Sequence, residues 1–274
     1  MPKKNRLILI PSLIFVCYLF LWFVIHIVVK TTDGVLNNAF ADSYGILAGA
    51  GGIIALHIAS KWEYLRSYVG KAIFYLSLGL LAQFLGQLSY TVLFYVYNIE
   101  NAYPAFGEVF YLATIPLYIM GVWYIAKASG FTLNSKSYDK TASAVVIPAI
   151  LLGISYYMFF RTYDATDLPF SIVFLDYIYP IGQALFVSLA IVTYYATKKT
   201  LGGVMRERVL FILFALFFQY IADSMFIYET RSEIWYAGGL SDMMFLISYF
   251  LMTVGLIQFD TDSISNEVKS YKTN

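Results

Sequence analysis

Long apolar segments separated by short polar stretches recur along the whole chain. A segment of about 20 apolar residues is long enough to cross the ~30 Å hydrocarbon core of a bilayer as an α-helix. The spacing Gly45-x-x-x-Gly49 in the second and shortest segment favours close packing against another helix. The pattern predicts eight transmembrane helices, at 7–29, 43–60, 71–97, 106–128, 142–160, 171–196, 208–228 and 238–259.

The composition supports the same class of protein. Of the 274 residues, 60% are hydrophobic and only 13% are charged, whereas soluble domains carry about 25% charged residues. The expected partner is therefore the lipid bilayer, and a net charge of +1 without a basic run excludes a nucleic-acid partner. The sequence contains no recognisable metalloprotease, kinase, P-loop or serine-nucleophile motif. We therefore predict neither an enzymatic activity nor a bound cofactor.

The lysines and arginines predict the orientation of the chain. Eight crossings leave fifteen of these residues on the side of both termini and three, Lys30, Arg161 and Arg231, on the opposite side. Because basic residues concentrate in cytoplasmic loops, both termini are predicted to be cytoplasmic, including the tail 263–274. No soluble domain fits between the helices, so residues 1–274 are predicted to form a single membrane domain.

The chain also contains a candidate internal repeat. A shift of 134 residues superposes the first four predicted helices on the last four without a gap. The expected fold class is therefore an all-α integral membrane protein of two parallel four-helix repeats, at about 7–128 and 141–262. The shift aligns four sets of rare polar residues: Thr32-Asp33 with Thr166-Asp167, Phe40-x-Asp42 with Phe174-x-Asp176, Ser89 with Asp223, and Glu108 with Asp242.

Acidic residues lie near the predicted starts of four helices that begin on the outer side. They are Asp42, Glu108, Asp176 and Asp242. A carboxylate in this position can accept backbone N–H groups and interact with the helix dipole, so one interpretation is purely structural. The alternative is that the acids converge and bind a hard cation such as Ca²⁺, or share protons. Helical spacing then adds three polar residues on the same faces: Tyr179, Gln183 and Tyr249.

Asp223 lies too far inside its predicted helix to act as a cap. It follows Val209 by fourteen residues, which corresponds to ~21 Å along a helix. Gln219, one turn earlier, shares its face and is expected to donate a hydrogen bond to it. Such a pair forms either an interhelical polar contact or a site that binds a ligand, a cation or a proton.

The segment Gly107-Glu108-x-Phe110-Tyr111-Leu112, followed by Pro116-Leu117 and Gly121, resembles membrane-embedded sensor regions of prokaryotic signalling proteins. A looser copy contains Asp242, Phe245-Leu246, Tyr249 and Gly255. In that family such regions precede diguanylate cyclase or histidine kinase output domains. The resemblance implies a prokaryotic plasma membrane and a sensory role. Because no output domain follows here, we expect the signal to pass to a separate partner protein.

Three functions remain open at this level. The first is a stand-alone sensory or accessory membrane module that binds a small ligand or cation at an acidic and aromatic site on the outer side. The second is a secondary transporter, or a proton- or cation-coupled channel, that uses the same acids. The third is a structural subunit of a membrane complex.

Overall fold

The computed structural model describes residues 6–99, 103–130, 138–157, 161, 165, 166, 168–197 and 204–261. Within these ranges the chain is helical and contains no strand, which confirms the all-α prediction. The first helix, Leu9–Phe23, continues as a π-helical segment, Val24–Val29. The α-helices are α1 (Leu9–Phe23), α2 (Val35–Ser43), α3 (Ile46–Lys61), α4 (Tyr68–Tyr97), α5 (Gly107–Ala128), α6 (Tyr138–Ser155), α7 (Phe170–Thr197), α8 (Val204–Arg231) and α9 (Leu240–Ile257).

Seven segments of the described chain are long and apolar enough to cross a membrane, one fewer than the sequence predicts. α2 and α3 together form one of them, Val35–Lys61. The predicted segment 142–160 corresponds to α6, whose apolar part among the described residues is only Val146–Ser155. Its remaining residues 158–160 lie outside the described part of the chain.

The two ends of the helix bundle differ in charge. α3 and α9 finish at the same end, because Lys61 Nζ lies 2.7 Å from Asp260 Oδ1 and Trp62 Nε1 donates to the Phe259 carbonyl at 2.8 Å. We call this end, which also carries Lys71, Lys127 and Arg208, the basic end. The opposite end, where α5 and α9 begin, is called the acidic end. It carries Asp42, Glu108, Asp176 and Asp242.

Some of the helix contacts recur in both halves of the chain. The most extensive contacts are between α4 and α5 in the first half and between α8 and α9 in the second. Two parallel pairs join the halves, α3 with α9 and α5 with α7. A shift by four helices exchanges these two pairs, since α3 then takes the place of α7 and α9 that of α5.

Glycines allow α3 to approach α4 closely. A Cβ built on Gly49 would lie 2.9 Å from Cγ of Phe84, and one on Gly52 would lie 2.7 Å from Cγ of Leu81. A Cβ built on Gly45 would lie still closer to the side chain of Gln87 on α4. The packing role predicted for the Gly45-x-x-x-Gly49 spacing is thereby confirmed.

Candidate functional site

A chain of hydrogen bonds leads to Asp223 in the second half of the molecule. Ser248 Oγ on α9 donates to Gln219 Oε1 at 2.8 Å, and Gln219 Nε2 donates to Asp223 Oδ2 at 3.1 Å. The bond predicted from the helical spacing is therefore present. Gln219 is buried, whereas Asp223 is half-buried and keeps part of its surface accessible. The amide fixes one carboxylate oxygen and leaves the other free for a further partner.

Two tyrosine rings of α5 pack against glycines of α4. A Cβ on Gly79 would lie 2.2 Å from Cε1 of Tyr118, and a Cβ on Gly86 would lie 2.6 Å from Cε1 of Tyr111. Both hydroxyls lie within electrostatic interaction distance of Asp223. Each ring thus occupies the space that a side chain larger than glycine at position 79 or 86 would need.

Further aromatic side chains of other helices surround the same region. Tyr44, between α2 and α3, stacks with Phe245 and Tyr249 of α9 at centroid distances of 6.3 and 5.9 Å. Tyr249 is 3% exposed and donates from its hydroxyl to Gln83 Oε1 at 3.1 Å. Its hydroxyl also lies within electrostatic interaction distance of Asp223. Asp223 therefore lies where aromatic residues of both halves of the chain meet.

Asp223 has no basic partner among the residues that the structure describes. Within this part of the chain the ion pair is Lys61 with Asp260, at the opposite end of the bundle. A half-buried carboxylate without a counter-charge carries a desolvation penalty for the part of its surface that is removed from water. A cationic ligand or a proton would remove that penalty.

Glu108 connects three helices at the acidic end. Its two carboxylate oxygens accept hydrogen bonds from the hydroxyls of Tyr90 on α4 and Tyr179 on α7. The nearby Asp176 accepts from Tyr103 at 3.2 Å and lies within electrostatic interaction distance of Glu108. Asp176 was predicted to lie at a helix start. In the structure α7 begins six residues earlier, at Phe170, so Asp176 lies beyond its first turn.

Asp242 and Asp42 form a second group of acids. Asp242, in the first turn of α9, accepts a hydrogen bond from the Gly238 backbone N–H at 2.7 Å, as the structural interpretation of this residue predicts. Asp42 lies near the end of α2 rather than at a helix start, and it accepts from the Tyr95 hydroxyl at 2.8 Å. The predicted position was wrong because the chain forms a separate short helix before α3.

The predicted site residues therefore fall into separate clusters rather than one. Asp223, Gln219 and Tyr249 belong to the central region, whereas Glu108, Asp176 and Tyr179 lie together at the acidic end. Gln183 on α7 is buried, and its Oε1 atom has no hydrogen-bond partner in the described structure. Among the described residues, no three His, Cys, Asp or Glu side chains are close enough to hold a metal ion. The described part of the chain therefore does not supply the multi-carboxylate shell that Ca²⁺ requires.

Sequence reasoning missed Tyr44, Tyr118 and Ser248 as neighbours of the candidate site. One signal was present for the tyrosines of α5. Tyr111 and Tyr118 are seven residues apart, as are Gly79 and Gly86 on the preceding helix, which is the spacing expected for rings that pack on glycines across two antiparallel helices.

Comparison of the chain with protein-family models, with curated proteins and with solved structures finds no match.

Proposed function

We propose that this protein is a prokaryotic plasma-membrane protein that binds a small organic cation at Asp223 and acts as a sensory or accessory module. The observation that carries the proposal is the half-buried Asp223 carboxylate, which lies within electrostatic interaction distance of three tyrosines and has no basic partner among the described residues. The following features support its parts in turn.

The surface of α1 supports a position within the bilayer. Leu9, Leu13 and Phe20 are 70%, 63% and 68% exposed, and they belong to an apolar segment that crosses the length of the bundle. A continuous apolar surface of this kind is rare on a soluble monomer. Hydrocarbon chains of lipids would solvate it at no cost.

The order of the helices supports eight crossings, although α6 has a short apolar part. α5 starts at the acidic end with Glu108, and α7 has Tyr179 bonded to Glu108 at that same end. The two helices are therefore parallel, and the segment between them has to return across the bundle. α6, which packs along α7, is the helix that makes this return.

The helix contacts support two related units. The pairs α3–α9 and α5–α7 are exchanged by a shift of four helices, as expected for units related by an axis along the membrane normal. Asp223 belongs to the second unit, but Tyr111 and Tyr118 near it belong to the first. The candidate ligand site therefore lies between the units, where it can respond to their relative position.

A carboxylate that has several tyrosines within electrostatic interaction distance is suited to an organic ammonium ion as the ligand. Cations are attracted to the faces of tyrosine rings within about 6 Å, by roughly 2 kcal/mol when the contact is desolvated. The described residues lack a set of metal ligands, so the same site is less suited to Ca²⁺. The sensory role itself is supported only by the resemblance of Gly107–Gly121 to prokaryotic sensor regions, and the signal would pass to a separate membrane partner.

A ligand-shift experiment tests this site. Wild type, Asp223→Asn and the control Asp33→Asn, which changes an exposed acid, are melted in detergent with tetramethylammonium chloride or with sodium chloride at equal ionic strength. The wild type and Asp33→Asn should melt at higher temperature in tetramethylammonium. Asp223→Asn should fold but lose this response, because the amide keeps the bond from Gln219 and cannot ionise. An unchanged response in Asp223→Asn would exclude the proposed site.

The transporter alternative uses the same geometry, since transporters commonly place the substrate between two repeats. Transport and sensing are distinguished by measuring the flux of the cation across a membrane. Wild-type proteoliposomes that accumulate or exchange radiolabelled tetramethylammonium faster than liposomes containing Asp223→Asn would favour transport over sensing.

A further inference from the structure

Two lysines meet at the basic end of the bundle, far from Asp223. Lys71, in the first turn of α4, has its Nζ atom 5.2 Å from the centroid of the Tyr124 ring and 5.8 Å from that of Tyr68. Lys127, in the last turn of α5, has its Nζ atom 5.8 Å from both centroids. Both ammonium groups are held against the same two rings, so their Nζ atoms lie at most about 11 Å apart.

The rings hold the lysines in a fixed arrangement. Tyr124 stacks with Tyr68 at 6.3 Å and with Tyr75 at 5.6 Å, at interplanar angles of 21° and 10°. Lys127 Nζ also lies 5.3 Å from the Trp123 ring centroid. Contacts of this kind reduce the conformational entropy that a flexible lysine would lose when it binds a ligand.

The positive charge of this pair is not balanced within the described structure. Neither Lys71 nor Lys127 forms a salt bridge with a described carboxylate, in contrast to Lys61, which is paired with Asp260. The N-terminus of α4, one turn from Lys71, adds the positive end of a helix dipole. Both lysines are half-buried and Tyr68 is exposed, so the site opens to the outside of the bundle.

We propose that Lys71 and Lys127 together bind the phosphate of an anionic phospholipid headgroup. The inference rests on the membrane position given under the proposed function, which places the ends of α4 and α5 at headgroup depth. Tyrosine and tryptophan are enriched at this depth, and basic pockets between helices bind anionic headgroups. The phosphate would lie between the two ammonium groups and relieve their repulsion, and its acyl chains would lie along α4 and α5.

Native mass spectrometry of protein released from detergent tests the site. Wild type, the double variant Lys71→Gln/Lys127→Gln and the control Lys30→Gln are titrated with phosphatidylglycerol or phosphatidylcholine. Lys30 is an exposed lysine at the acidic end. The double variant should bind phosphatidylglycerol about thirtyfold more weakly, since each lysine near an anionic lipid contributes roughly a factor of five. Lys30→Gln should bind it as the wild type does.

Three further measurements keep the test decisive. Lys71→Arg/Lys127→Arg keeps both charges and should retain the binding, which separates charge from folding defects of the glutamine variant. Binding to wild type should weaken when salt rises from ~0.1 M to ~1 M, where the Debye length falls to ~3 Å. Asp223→Asn should bind the lipid normally, so failure of this site and failure of the cation site are read separately.

Several outcomes would overturn the lipid assignment. One is equal binding of phosphatidylglycerol and phosphatidylcholine by the wild type. Another is equal loss of binding in Lys30→Gln. A third is complete displacement of the lipid by inorganic phosphate at the same concentration, which would make the free anion the ligand.

Discussion

Tyrosine hydroxyls hold three of the four acids at the acidic end, and this sets the role of each carboxylate. Asp42, Glu108 and Asp176 all accept from tyrosines of a different helix or loop. These hydrogen bonds connect a helix to another helix or to a loop, and they occupy carboxylate oxygens that would otherwise be available to a ligand. Asp223 differs because its partner is an amide of its own helix, one turn away.

The first residue-scale prediction concerns the two tyrosines that donate to Glu108. Tyr90→Phe and Tyr179→Phe should each lower the stability of the folded protein by about 0.6–1.5 kcal/mol, the range for interhelical and intramolecular hydrogen bonds. The double variant should lose more than either single variant, because the two hydroxyls donate to different oxygens of Glu108 and each bond survives the loss of the other. Thermal melts in detergent measure all three.

Tyr97→Phe is the matched control for this pair. Tyr97 ends α4 and is 65% exposed, so removal of its hydroxyl should leave the melting temperature unchanged. Equal effects of Tyr97→Phe and Tyr90→Phe would mean that the bonds to Glu108 contribute nothing specific.

Between elements, the fit of tyrosine rings on glycines determines how α5 lies on α4. The Gly79–Tyr118 and Gly86–Tyr111 contacts are spaced along the interface by two helical turns. They allow the backbones to approach closely, and both tyrosine hydroxyls lie within electrostatic interaction distance of Asp223. Packing and the candidate site therefore depend on the same residues.

Gly79→Ala should destabilise the protein by about 1–3 kcal/mol, the usual cost of overpacking, because its Cβ would lie 2.2 Å from the Tyr118 ring. Gly153→Ala in α6 is the control. A Cβ there meets no atom within 4 Å, so alanine should be neutral or stabilising by up to ~1 kcal/mol through helix propensity. Thermal melts should rank Gly79→Ala below wild type and Gly153→Ala at or above it.

The apolar pattern of the sequence predicted that the helices exist, because each needs a continuous apolar surface. The bond from Gln219 to Asp223 was also predictable, since a four-residue spacing fixes both side chains on one face. Both predictions depend only on local geometry.

Contacts between distant segments were not predictable in this way. α2 (Val35–Ser43) contains Asn37, Asn38, Asp42 and Ser43, so the apolar pattern began the helix only at residue 43 and did not predict a separate helix before Tyr44 and Gly45. The donors to Glu108 come from Tyr90 and Tyr179, which are 18 and 71 residues away. Which of the 25 tyrosines meets which acid is decided by tertiary packing.

At the scale of the whole molecule, the charged side chains at the two ends of the bundle have different kinds of contacts. The acidic end has carboxylates held by neutral donors, and the basic end has lysines on aromatic rings. This asymmetry agrees with the distribution of lysine and arginine from which the cytoplasmic termini were predicted.

Cysteine labelling in intact cells tests the topology in a Cys17→Ser background. Single cysteines replace Gly130, Arg161, Thr230 and Ser270, and an impermeant maleimide is added. With eight crossings, positions 161 and 230 should react and positions 130 and 270 should be protected. Reaction at both 130 and 161, or at neither, would show that α6 does not cross. Reaction at 270 with protection at 230 would reverse the orientation.

The exchange of helix pairs between the halves has a consequence for stoichiometry. Under the 134-residue shift Ser89 takes the place of Asp223, and its hydroxyl donates to the Leu85 carbonyl of its own helix at 2.7 Å. The first half therefore lacks an acid at the corresponding position. For the proposed site, a dimer of identical acid-bearing units would hold two equivalent ligands and could bind them cooperatively. With one such acid per chain, we expect one bound ligand and a hyperbolic saturation curve.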